Sequence, residues 1–308
     1  MSAYLIRRLL QTVLTFVGAT FIVYALMFSI ATDPLQALAG EKPLSDSQRA
    51  QLTAQYHLDE PFIKQYGYYM KGLVTGNLGR TISGRQISDV LKESWPRTLQ
   101  LGLIALLIVI VFGITGGVYA GLRRGGVFDQ TSLALTLVVI GTPVFVIGTV
   151  FQSVFAVELG WFRPSYAPEL GMATYILPAI VLGLLSLATG MRLTRTAVAE
   201  NLRADYVRTA SSKGLTRRRI VTVHVLRNSL IPVVTFIGTD IGALMSGAMV
   251  TEGIFNIPGI GGRLFQGIRL EDGPLVVTIV SVLILIYLVT SLLVDMLYAV
   301  LDPRIRHG

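Results

Sequence analysis

Leu101-Gly102-Leu103-Ile104-Ala105-Leu106-Leu107-Ile108-Val109-Ile110-Val111-Phe112 has no charged or hydrogen-bonding side chain, and it sits inside a charge-free run from Thr98 to Leu122. A helix rising about 1.5 Å per residue crosses the hydrocarbon of a bilayer with roughly 20 apolar residues. The run is continuous rather than alternating, and far longer than the roughly 10 residues of a barrel strand. It reads as a transmembrane helix. Five more such runs flank it, at about 9–32, 130–157, 170–191, 228–251 and 274–297. Pro143 falls inside the third and is expected to bend it; Asp240 interrupts the fifth, and Asp295 lies near the inner end of the sixth. The pattern predicts an all-α polytopic membrane protein with six transmembrane helices, forming one domain over residues 1–308. Composition agrees: 52% of the 308 residues are hydrophobic and 14% are charged, against about 25% charged in a soluble domain. Such a chain cannot cover a globule with polar surface, which excludes a water-soluble enzyme and a disordered scaffold. Cysteine is absent, so disulfides, thiolate metal sites and cysteine nucleophiles are excluded too.

Lys and Arg set the orientation, because short cytoplasmic loops hold an excess of them. With a cytoplasmic N-terminus, the inner segments carry 15 of the 26 basic residues and four acids, a charge of +11, while the outer segments carry −1. Eight of the 11 outer basic residues fall in the loop 33–97, which is too long to vote. Both termini are then cytoplasmic, with 192–227 an inner loop. The net charge of +8 comes from these basic loops and does not imply a nucleic-acid partner. Arg7 and Arg8 before the first run, and Ala37-Leu38-Ala39 after it, resemble a signal peptide. Its 24 residues exceed the usual apolar stretch of roughly 7–15, so a retained anchor is expected.

In the outer loop Phe62, Tyr66, Tyr69, Met70 and Leu73 recur at helical spacing, and Ile87, Val90 and Leu91 do the same before Trp95-Pro96. These helices either lie in the outer interface or pack on the tops of the spans. Gly113, Gly117 and Gly121 in the second span, and Gly238, Gly242 and Ser246 in the fifth, form small-residue ridges that let helix backbones approach closely.

The inner loop is the informative one. Ala204–Lys213 has good helix formers, with Asp205 placed to suit the helix dipole. Gly214 fits the left-handed residue that ends a helix, Leu215 the apolar residue that follows, and Thr216 the cap of a second helix from Arg217 toward His224. Tyr206, Ala210 and Gly214 share one face that ends in small residues. By composition this is either a solvated basic loop or a docking device that seats closely in a partner's groove.

Asp205-Tyr206-Val207-Arg208-Thr209-Ala210-Ser211-Ser212-Lys213-Gly214-Leu215 and the continuation from His224 to Pro232 resemble the EAA loop of ABC importer permeases, in its peptide-permease form. Gly76-Asn77-Leu78-Gly79-Arg80-Thr81, Trp95 through Leu101, Glu252 through Gly261, and Asp302-Pro303-Arg304 resemble further motifs of the same family, in the family's order. Asn77 stands where the family usually has Asp, and Arg208 and Thr209 where the general EAA pattern has Glu and Ala. The long first outer loop is similar to that of the first of two permease subunits in dipeptide and oligopeptide importers. The resemblance implies the type I importer fold and a bacterial or archaeal cytoplasmic membrane. It implies a second homologous permease, two ATP-binding subunits or domains, and an extracytoplasmic substrate-binding protein. Asp205, Tyr206, Arg208, Thr209, Ala210, Lys213, Gly214 and Leu215 would form the coupling helix and its end, docking on the ATP-binding subunit. Asn256, Pro258 and Gly259 would form a turn facing the binding protein.

No phosphate-cradling G-x-x-x-x-G-K-[ST] occurs, so ATP and Mg would bind in partner subunits, and this chain would make and break no covalent bond. No metal site or cofactor is expected: His57, His224 and His307 lie far apart in the sequence. Asp240, near mid-bilayer, is either part of the translocation path or a satisfied polar contact; Asp295 suits local pairing. A secondary transporter or channel is the alternative reading, though it gives no reason for the loop from Asp205 to Gly214. An intramembrane protease lacks a Ser–His pair at membrane depth.

Overall fold

The computed structural model describes residues 2–28 and 45–301, and it divides into two compact units, Met1–Leu99 with Asn256–Gly308, and Gln100–Phe255. Among the described residues it is helical, with one isolated bridge between Arg80 and Gln86. Among the described residues five helices are long and apolar enough to cross a membrane, and a bent pair makes a sixth if counted as one span.

In the first unit α1 (Ser2–Phe28) packs against α11 (Gly273–Leu301). Much of α1 turns Leu9, Leu10, Val13 and Leu14 outward, as a helix solvated by lipid does. α2 (Asp46–Tyr56) and α3 (Phe62–Thr75) follow. The tyrosine face of α3 settles one open alternative: it packs on the spans. Tyr66 sits edge-on to Phe21 at 5.2 Å, and Tyr69 lies 5.0 Å from Tyr24. The Tyr66 hydroxyl donates to the Val17 carbonyl at 2.9 Å and Tyr69 to Ser281 Oγ at 2.6 Å. Burial pushes the Tyr69 phenol well above its ordinary pKa, so it remains a donor. The stretch from Gly76 to Gln86 folds as a tight loop whose Ile82 N–H donates to Asp272 Oδ2, just before α11.

The second unit is built around α7 (Ile176–Asn201), which a 3₁₀ stretch Pro168–Tyr175 precedes. The second span, within α4 (Ile87–Leu122), lays its glycine ridge on α7. A Cβ on Gly117 would stand 2.6 Å from the Met191 carbonyl oxygen, and one on Gly121 2.8 Å from Val198 Cβ. In lipid, where helices gain little from hydrophobic burial, this backbone approach supplies the packing. The side chain of Ser246, in the other ridge, lies outside the described residues, as does that of Asp295. α9 (Leu226–Ile254) also packs along α7. The third run is two helices, α5 (Val127–Gly141) and α6 (Val144–Phe151), the latter continuing as a π-helix to Glu158; they meet at 108° across Thr142 and Pro143.

Several helices outlast their apolar runs. α7 continues to Asn201, where the hydropathy reading stops at Met191. Bilayer thickness limits the apolar run, whereas Arg192, Thr196 and Glu200 remain acceptable helix residues in a polar environment.

Candidate functional site

α8 (Asp205–Ser212) starts after Ala204 in extended backbone and ends at Gly214, whose φ is +77°. Gly214 N–H donates to the Ser211 carbonyl at 2.9 Å, and Leu215 N–H to the Ala210 carbonyl at 3.3 Å. These two bonds, spanning three and five residues, are the Schellman closure, and they satisfy carbonyls the helix end would orphan. Ala210 is 5% exposed, packed in one cluster with Val198, Ile220 and Val225 and flanked by Val207 and Leu215. This corrects the expected docking face. Ala210 seats α8 on its own chain and presents nothing to a partner. The small residue permits close approach, but the groove it enters is intramolecular. Asp205, Tyr206, Arg208, Thr209 and Lys213 are exposed, and Leu215 is half-buried. Arg208 and Asp205 pair loosely at 3.6 Å, and the Tyr206 hydroxyl donates to Asn201 Oδ1.

The second helix of the loop differs from expectation. Thr216 has the extended backbone of a cap, but its side chain makes no capping bond. The turn Arg217–Arg219 does not end near His224; it runs through a π-helical stretch, Ile220–Val225, directly into α9. No group of three metal-ligating side chains exists among the described residues.

Near the inner end of α7 lies a pair that sequence reasoning missed. Arg195, in α7, donates from Nε to Asp129 Oδ1 and from Nη2 to Asp129 Oδ2 at 2.8 Å. Asp129 Oδ2 also accepts the Gly125 N–H at 2.8 Å, and the Asp129 side chain is 2% exposed. In the sequence Asp129 is one acid among basic residues. The only hint is its place in the first turn of a helix, where an acid is favourable; a partner 66 residues away leaves no local signal.

Asp240 accepts a 2.8 Å hydrogen bond at Oδ1 from Ser186 of α7 and is 7% exposed; its Oδ2 is buried without a hydrogen-bond partner among the described residues. It faces the helix packing in this conformation. The stretch between the fifth and sixth runs is largely helical. Gly253 and Ile254 still belong to α9, and α10 (Ile260–Arg269) begins before Gly261. Of the three residues expected to face a partner, Asn256 is exposed with φ +52°, Pro258 is half-buried with its carbonyl accepting from Arg97, and Gly259 is buried. For Gly259 this is a correction: it caps α10, whose Ile260 N–H donates to Thr98 Oγ1 at 2.8 Å. Asp302-Pro303-Arg304 lies outside the described residues.

A family described as binding-protein-dependent transport system inner membrane component matches residues 113–307, and the N-terminal component of the same systems matches residues 1–89. The chain belongs to this family. As a member, it is an inner-membrane permease component of a binding-protein-dependent transport system. It is 37% identical to the dipeptide transport system permease protein DppB of Escherichia coli strain K12, over 100% of this chain and 99% of the relative. It is 36% identical to the di/tripeptide transport system permease protein DppB of Pseudomonas aeruginosa strain UCBPP-PA14, with the same coverage. It is 33% identical to the glutathione transport system permease protein GsiC of Escherichia coli O6:H1, over 100% of both chains.

Proposed function

We propose that this permease forms half of the translocation pathway of an ATP-driven importer of short peptides, as one membrane domain over residues 1–308 with both termini in the cytoplasm of a bacterium or archaeon. Its partners are a second homologous permease, two ATP-binding subunits that bind ATP and Mg and hydrolyse the nucleotide, and an extracytoplasmic binding protein that selects the solute. The observation that carries the reading is α8. Its Schellman end at Gly214 and its seat at Ala210 fix one side of the helix to the chain. Asp205, Tyr206, Arg208, Thr209 and Lys213 remain exposed around that seat, for the ATP-binding subunit. Closure of the ATP-binding pair displaces α8 and tips the bundle between inward- and outward-facing states, a lever acting between two conformations. Full-length identity to peptide and glutathione permeases favours this over a secondary transporter or channel. Asn256 and Pro258 contribute to the surface met by the binding protein, and Asp240 serves first as a contact between α7 and α9.

The test is purification of the complex from cells expressing this chain with the four partners, followed by reconstitution in proteoliposomes. Co-purifying ATP-binding subunits, and hydrolysis stimulated by loaded binding protein, support the reading. A chain that transports peptide with no ATP-binding subunit present refutes it.

A further inference from the structure

The ion pair between Asp129 and Arg195 stands in an unusual place. The Asp129 side chain is buried and that of Arg195 is 18% exposed; charges withdrawn from water lose hydration, and a volume-matched apolar pair commonly holds two helices as well or better. The pair gives something an apolar contact does not. Two parallel N–H···O bonds fix both the distance and the orientation of the groups they join, whereas packed methyl groups slide and change rotamer.

The pair lies between two other features. On one side, Val198, one helical turn after Arg195, shares a cluster with Ala210 of α8. The missing Cβ of Gly121 lets α4 close against Val198 and the Arg195 carbonyl oxygen. On the other side, Asp129 occupies the first turn of α5, with the backbone of Gly125 also bound to it. α5 then meets α6 at 108° across Thr142 and Pro143. A displacement of α8 therefore passes by close packing to the inner end of α7. From there it passes through a rigid two-point joint to the base of the bent α5–α6 pair.

We propose that Asp129 and Arg195 are positioning residues of the transport cycle, and that their ion pair transmits the movement of α8 into α5 and α6. This rests on the reading of α8 as the coupling helix. The pair does not touch solute or nucleotide; it sets how faithfully one follows the other.

The experiment uses the complete transporter in proteoliposomes with its loaded binding protein. It measures ATP hydrolysed per solute delivered, the recovery of ATP-binding subunits, and the thermal unfolding temperature. The double variant Asp129→Leu/Arg195→Met replaces the pair with apolar groups of similar volume. Assembly and unfolding temperature at or above those of the unmodified complex are expected, with ATP per solute rising about fivefold or more, the lower range of a coupling free energy. An unchanged ratio in the assembled double variant overturns the proposal and makes the pair simple packing. Should the double variant not assemble, Arg195→Lys decides, because it keeps the charge and removes the two-point geometry. A raised ratio there supports the proposal and an unchanged ratio overturns it. If the unmodified complex carries no ATP-binding subunit, the reading of α8 fails, and this proposal with it. If the unmodified complex and the variants are equally coupled, only the ion-pair proposal fails.

Discussion

Gly214 is the residue on which the end of α8 turns. Beyond its chain neighbours, no atom of the described residues stands within 4 Å of where its Cβ would be, so packing leaves room for a side chain; the constraint is the φ of +77°. A left-handed backbone costs an L-residue roughly 1–2 kcal/mol. Gly214→Val is expected to loosen the two closing bonds, weaken co-purification of the ATP-binding subunit and lower solute-stimulated hydrolysis. Gly214→Asn is expected to retain most of both, since Asn tolerates this conformation. Equal behaviour of Val and Gly at this position would remove Gly214 from the coupling device. Asp240 allows a second test. Asp240→Ala deprives the Ser186 hydroxyl of its acceptor and is expected to cost about 1 kcal/mol of stability in thermal unfolding, the scale of interhelical hydrogen bonds in membranes. Asp240→Asn keeps an acceptor and is expected to be close to neutral. A transport defect in a fully stable Asp240→Asn protein would instead assign the carboxylate to the pathway. The hydropathy reading could locate Asp240 at mid-bilayer but not its partner, because Ser186 is an ordinary polar residue in another run.

Among elements, the contact of α4 with α7 depends on which glycine is considered. A Cβ on Gly117 meets the Met191 carbonyl and Thr194 Cβ, both at 2.6 Å, whereas one on Gly116 meets the mobile end of the Met191 side chain at 2.8 Å. Gly117→Ala is therefore expected to force the helices apart and cost about 1–3 kcal/mol, the range of overpacked cores. Gly116→Ala is expected to be tolerated. Folded yield and thermal unfolding in detergent compare the two, and equal losses would contradict the packing described. The ridge itself was legible, because glycine at four-residue spacing has one common physical use. What could not be read was the direction of Ala210. Small residues mark a close approach without saying what approaches, and here it is a cluster of the same chain holding Val198, Ile220 and Val225. The extension of Arg217 into α9 was hidden for a related reason: an arginine-rich turn and an apolar span look like separate segments by composition, yet both are helical.

Across the whole molecule, the asymmetry of basic residues in short loops is what supports the proposed orientation. A reporter fused after Arg85 is expected to read extracytoplasmic and one after Lys213 cytoplasmic; the reverse pair would invert the topology. Membrane class and approximate run positions were legible in the 98–122 stretch and its five companions, because bilayer thickness imposes one length on any chain that crosses it. Pro143 marked a bend, but its size of 108° was not legible. A proline before α6 explains why α5 cannot continue; the angle depends on what the two helices pack against.

The π-helical stretches Val109–Ile114 and Ile220–Val225 each absorb surplus chain within a helical run. In an α-helix each added residue turns everything beyond it by about 100°, which would swing a lipid face into the bundle. A π turn confines that surplus to one loosened turn. Shortening either of these two segments by one residue should convert it to ordinary α-helix and leave the downstream faces where they are. The same deletion in the midst of α7 should scramble them. In evolutionary terms, these turns are where such a permease can vary in length by one residue without redesigning its contacts.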